Sequence, residues 1–111
     1  MILEAALLDL RDDTEETAVA FEAAFRRAAP LIAASPGYQS LTLQRRIDAP
    51  GRYLLLVGWD TLEDHTIGFR QSPAYQEWKA LLHHFYDPFP VVEHFERVDL
   101  TTVPTSPAPR P

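Results

Sequence analysis

The chain has 111 residues, 46% of them hydrophobic and 23% charged, and carries a formal net charge of −6. That length suits one globular domain and is too short for two cores. The acidic balance, with adjacent basic residues only at Arg26-Arg27 and Arg45-Arg46, argues against a nucleic-acid partner, which binds through basic patches.

The sequence contains no cysteine, so disulfides, thiolate nucleophiles and thiolate-held metals are excluded together. No apolar run approaches the roughly 20 residues needed to cross a bilayer. No basic segment followed by an apolar one opens the chain as a secretory signal would. The expectation is a cytoplasmic protein without a membrane partner.

Ile2 to Leu10 is apolar except at Glu4 and Asp9 and reads as a buried strand. The acidic stretch Asp12-Asp13-Thr14-Glu15-Glu16 suits a helix N-terminus, where unpaired N–H groups favour negative charge. Phe21, Phe25, Ala28 and Ile32 then recur on one face of a helix predicted over Thr14 to Ala34. Pro30, which lacks an N–H, is expected to kink or restart it near Ala29. Ser35-Pro36-Gly37 ends it.

Tyr38 to Ile47 alternates, with Leu41, Leu43 and Ile47 on one side and Ser40, Thr42 and Gln44 on the other, as a strand does. Asp48-Ala49-Pro50-Gly51 is a hairpin-length turn, and Arg52 to Trp59 is the third strand. Asp60 or Thr61 caps a short helix to about Phe69. Ser72-Pro73 starts another that runs to about Phe85, since Ser accepts the capping bond and Pro suits the first helical position. Asp87-Pro88-Phe89-Pro90 breaks it, and Val91 to Val98 is the last strand. The domain is therefore placed at 1–98. From Asp99 a tail at 99–111 holds Pro104, Pro107, Pro109 and Pro111 and is expected to be extended or mobile.

The order βαββαβ is that of an α+β, ferredoxin-like fold with a four-stranded antiparallel sheet. The third strand is apolar on both sides: Tyr53, Leu55, Val57 and Trp59 point one way, Leu54, Leu56 and Gly58 the other. Two helices cover only one face of such a sheet. Leaving the other in water forfeits on the order of 1.5–3 kcal/mol for each large side chain. A homodimer packed sheet on sheet is the expected remedy.

The turn Trp59-Asp60-Thr61-Leu62-Glu63-Asp64-His65, the segment Phe69-Arg70-Gln71-Ser72-Pro73-Ala74-Tyr75 and the ending Val91-Val92-Glu93-His94-Phe95 together resemble the antibiotic biosynthesis monooxygenase family. The resemblance covers about Met1 to Val98. It implies a dimeric α/β barrel with a pocket in each subunit between sheet and helices. In active members that pocket oxidises polycyclic aromatic substrates with molecular oxygen and without metal or flavin; a separate branch degrades haem. This chain departs from both, because it contains no Asn, which both branches use to hold substrate or oxygen. Where the haem branch has a Trp and an iron-ligating His, this chain has Phe69 and Trp78 or Lys79. Haem degradation is not expected.

Several side chains are candidates for the site. His65, on the short helix facing the expected pocket mouth, suits a general base near neutral pH; the plainer reading is a partly exposed His bonded to Glu63 or a nearby carbonyl. Trp59, Phe69, Tyr75, Trp78, Phe85 and Tyr86 supply an aromatic box for a flat ligand. Trp78, Leu81, Leu82 and Phe85 share a helical face, which favours a core role for Trp78 and Phe85. Arg70 or Tyr75 would steady a developing negative charge.

His83, His84, Asp87, Glu93 and His94 offer metal-ligand chemistry, but His83 and His84 point roughly 100° apart on a helix and match no two-His motif. Glu93, His94, Glu96 and Arg97 read as cross-strand polar pairs. No metal site is expected, and no phosphate-cradling Gly-rich loop or G-x-S-x-G elbow is present.

The functional expectation is a cofactor-independent monooxygenase acting on a small aromatic or polyketide-like substrate. A non-catalytic dimer that binds a hydrophobic ligand, and an isomerase or cyclase, are the alternatives.

Overall fold

The structure, a computed structural model, describes residues 1–101; the tail prolines lie outside the described residues. Four strands, β1 (Ile2–Asp9), β2 (Tyr38–Arg45), β3 (Arg52–Trp59) and β4 (Val92–Glu96), form one sheet in the order β2-β3-β1-β4. Every neighbouring pair is antiparallel. Helices α1 (Glu15–Ala33) and α2 (Pro73–Leu82) cover one face, which makes the ferredoxin-like α+β fold. No helix among the described residues is long and apolar enough to cross a membrane.

Thr14 caps α1, its hydroxyl accepting from the N–H of Thr17 at 3.2 Å. The helix buries Ala18, Phe21, Ala24, Phe25, Ala28 and Ile32 against the sheet. It continues through Pro30 as one element, without the expected restart. The buried Ala28 and Ile32 on either side of that proline keep the last turn packed. Gly37, at φ +83°, then reverses the chain into β2.

β2 ends two residues before the predicted Ile47, which is 99% exposed rather than part of the apolar side. The inner face of β3 matches expectation: Tyr53, Leu55, Val57 and Trp59 are all buried beneath the helices. α2 starts at Ser72-Pro73 as the capping chemistry requires, and a single 3₁₀ turn (His83–Phe85) extends it.

The opposite face of the sheet is open. Leu7 is 68% exposed, and the alternation places Leu3, Ala5, Leu54, Leu56 and Phe95 on its side. The polar residues Ser40, Thr42 and Gln44 border this stripe on β2.

Candidate functional site

One segment differs from a regular helix. Between β3 and α2 the chain forms a π-helical turn (Asp64–Phe69). Thr61 and Asp64 open it as a reciprocal cap: the N–H of Thr61 donates to Asp64 Oδ2 at 3.1 Å, and the N–H of Asp64 to Thr61 Oγ1 at 3.2 Å. The Asp64 carboxylate fills the space a side chain on Gly37 would need, tying this turn to the start of β2. The N–H of Arg70 then reaches back five residues to the carbonyl of His65, at 3.1 Å. Such wide turns are frequent at functional sites.

The turn delivers His65 into the interior, where it is only 3% exposed. Its ring stacks on Trp59, with centroids 5.5 Å apart and planes at 21°. Trp59, the last residue of β3, donates its indole N–H to Glu4 Oε1 at 2.9 Å. The same oxygen lies 3.4 Å from His65 Nε2. On the other side of the ring, His65 Nδ1 is 2.8 Å from Nε2 of His94. Glu4 and His94 face each other across the β1–β4 pairing. Glu4 is 5% exposed, whereas His94 is an exposed residue of the edge strand. The four side chains thus run from a buried carboxyl to the surface.

Burial pushes the Glu4 carboxyl above the usual carboxylate range, against the Trp59 hydrogen bond and the Arg70 charge, which favour ionisation. Burial, helped by Arg70 and His94, pulls the His65 imidazole down to about 4. His94 is lowered too, by burial and then by Arg70. At neutral pH both rings are therefore uncharged.

Glu4 and His65 also form part of the wall of a cavity between the sheet and the helices. Ala6, Leu8, Leu55 and Val92 line it from the sheet, Phe25 and Ile32 from α1, and Phe69, Trp78 and Leu82 from the π-helical turn and α2. Phe69 meets Tyr75 and Trp78 edge-on, with centroids 5.5 Å and 5.8 Å apart. Arg70, Tyr75 and His83 join the lining with Phe89 and Pro90, from the connection between the 3₁₀ turn and β4. The free volume is about 40 Å³. A water needs about 10–15 Å³ on such a measure, and ligand pockets typically run to about 300–1,000 Å³. The cavity has room for a few waters and is too small, as it stands, for an aromatic ring.

The sequence candidates fall into two groups. His65, Phe69, Arg70, Tyr75 and Trp78 line the cavity, and so does Tyr86. Trp59 does not; fully buried, it stands behind the cavity and holds Glu4 and His65. Phe85 packs on Phe21 instead. His65 is a buried residue rather than one at a pocket mouth, and its ring partners are His94 and Glu4 rather than Glu63. Among the described residues no three His, Asp or Glu side chains are grouped to hold a metal ion.

Comparison with known proteins agrees with this architecture. Residues 4–81 match the family model for antibiotic biosynthesis monooxygenases. The chain belongs to that family. The uncharacterised protein YczJ of Bacillus subtilis is 54% identical over 98 residues, spanning 88% of this chain and 100% of its own. A family protein from Bordetella bronchiseptica is 36% identical with a TM-score of 0.79, covering 87% of this chain and 96% of its own. SnoaB, a cofactor-independent oxygenase from Streptomyces nogalater, shares the fold with a TM-score of 0.66 at 21% identity, covering 91% of this chain and 97% of its own.

Glu4 was not singled out from the sequence as functional, and His94 was weighed there only as a metal ligand and as a cross-strand polar partner, not as a neighbour of His65. Glu4 is visible there only as a carboxylate interrupting an apolar strand. Its meaning comes from the register that sets it opposite His94 and within reach of Trp59.

Proposed function

We propose that this family member is a cofactor-independent monooxygenase that oxidises a small aromatic or polyketide-like substrate in the cavity beside Glu4 and His65. The observation that carries this reading is a neutral, buried imidazole lying 3.4 Å from a carboxyl group on the wall of an aromatic cavity. Such a site suits a substrate whose carbanion reduces oxygen directly, because the acidic proton can be removed where water is scarce.

In this reading His65 Nε2 takes a C–H proton from the methylene carbon of an anthrone-like ring. The electron pair left on the substrate passes to oxygen, and a C–O bond forms. The peroxide takes the proton back. Loss of the second C–H proton with cleavage of the O–O bond leaves a carbonyl group and water. Arg70 supplies positive charge near the enolate, and Phe69, Tyr75 and Trp78 grip the ring. Entry of the ring requires the 87–91 connection carrying Phe89 and Pro90 to swing outward.

The same reading includes a homodimer. Leu3, Leu7, Leu54, Leu56 and Phe95 make a stripe on the open face, and burying each fully is worth about 1.5–3 kcal/mol. A second copy packed through this stripe covers it without touching the helical face that carries the cavity.

The test is oxygen consumption by the purified protein with an anthrone and with a dihydroquinone, run aerobically and anaerobically. Stoichiometric oxygen uptake with product formation supports the proposal. Equal product yield without oxygen would show an isomerase or cyclase, and recovery of unchanged bound ligand would show a binding protein.

A further inference from the structure

An imidazole whose pKa is depressed to about 4 is a poor resting place for a proton. The geometry offers a way for the charge to leave the ring as it arrives. His65 uses its two ring nitrogens on opposite partners, Nε2 towards Glu4 and the cavity wall, Nδ1 towards His94 at 2.8 Å. His94 is on the edge strand and reaches solvent, whereas His65 and Glu4 are buried.

We propose that His94 is the outer member of a proton relay, which carries protons between the buried cavity and solvent through the His65 ring. This deepens the oxygenase reading and rests on it for the identity of the proton donor.

In the resting state His65 Nδ1–H donates to His94 Nε2, and the Nε2 lone pair of His65 faces the cavity wall beside Glu4, 3.4 Å from its Oε1. When Nε2 takes the substrate proton, the Nδ1 proton crosses to His94 Nε2, so His65 never carries a full positive charge. His94 becomes the imidazolium in contact with water and loses a proton to solvent from its other nitrogen. The return of a proton to the peroxide reverses each transfer, so the cycle leaves no net charge behind.

The charged and titratable groups facing this path are Glu4 from β1 and Arg70 after the π-helical turn. The Arg70 charge disfavours a cation on either ring and so favours brief occupancy. His94 does not itself line the cavity and acts as a positioning and transfer residue. A purely structural His94 would need only to hold the ring in place.

The experiment is hydrogen exchange of the His65 ring N–H with water, followed by NMR on the full chain labelled with ¹⁵N-histidine at neutral pH. In His94→Phe, which fills the space without a titratable nitrogen, exchange is expected to slow by roughly tenfold or more. His94→Gln, which keeps a hydrogen bond but has no imidazole, is expected to slow it similarly. Free imidazole is expected to restore fast exchange in His94→Ala. Exchange within about twofold of the unmodified chain in His94→Phe and His94→Gln, both folded by circular dichroism, would overturn the relay. Because no substrate is needed, a failure to consume oxygen leaves this result standing. Normal oxygen uptake with unchanged exchange removes the relay alone.

Discussion

Oε1 of Glu4 is shared: it accepts the indole N–H of Trp59 at 2.9 Å and lies 3.4 Å from Nε2 of His65. The shorter contact is a formed hydrogen bond, and the longer one is loose enough for a substrate atom to compete. Trp59 therefore fixes the carboxyl while leaving His65 available.

Trp59→Phe keeps an aromatic ring beside His65 and removes the indole N–H that donates to Glu4. Losing a partner for a buried polar group costs about 1–3 kcal/mol. Chemical denaturation of the variant is expected to show a loss in that range. A change below about 0.5 kcal/mol would show that Glu4 does not depend on the indole.

The folded His65 pKa of about 4 lies below its ordinary 6.5, so between these values the unfolded chain binds a proton that the folded chain refuses. The stability is complete above pH 6.5 and is lost as pH falls towards 4, on the order of 3 kcal/mol for this group. His83 and His94, both lowered, add losses of the same sign. Glu4 opposes them, because a raised carboxyl takes up its proton more readily in the folded state as pH falls. Denaturation midpoints across this range are expected to fall less steeply for His65→Phe than for the unmodified chain. Parallel pH profiles would contradict the burial of a neutral imidazole.

The open apolar stripe makes a direct claim about assembly. Sedimentation of the unmodified chain at micromolar concentration is expected to give twice the subunit mass. Leu7→Glu places a charge in the middle of the proposed contact and is expected to yield a folded single subunit. A single subunit before any substitution would remove the homodimer.

Much of the fold was legible because each element carries its own chemical punctuation. Ser72 caps α2 as the Ser-Pro pair indicated, and Thr14 caps α1 within the acidic stretch read as its N-terminus. Tyr53, Leu55, Val57 and Trp59 alternate with a period that only a strand explains, and all four are buried together. The π-helical turn was not legible: it differs from an α-helix by one residue in its hydrogen-bond span, which side-chain periodicity over six residues does not resolve. That one residue helps to send His65 inward, contrary to the expectation of a mouth position.

Glu4 and His94 show the other limit. Their pairing follows from the β1–β4 register across about 90 residues of chain. Local pattern says that Glu4 is unusual in an apolar strand, but not which partners compensate it. Trp59 shows the converse: its aromatic character suggested a ligand contact, while its indole N–H serves the carboxyl beneath the site.

Oxygen uptake by His65→Ala, measured beside the unmodified chain with the same anthrone or dihydroquinone, tests the chemistry most directly. Removal of the base is expected to lower kcat by about 100-fold or more, with the fold unchanged by circular dichroism. Oxygen uptake equal to that of the unmodified chain would contradict a role for His65 as the base.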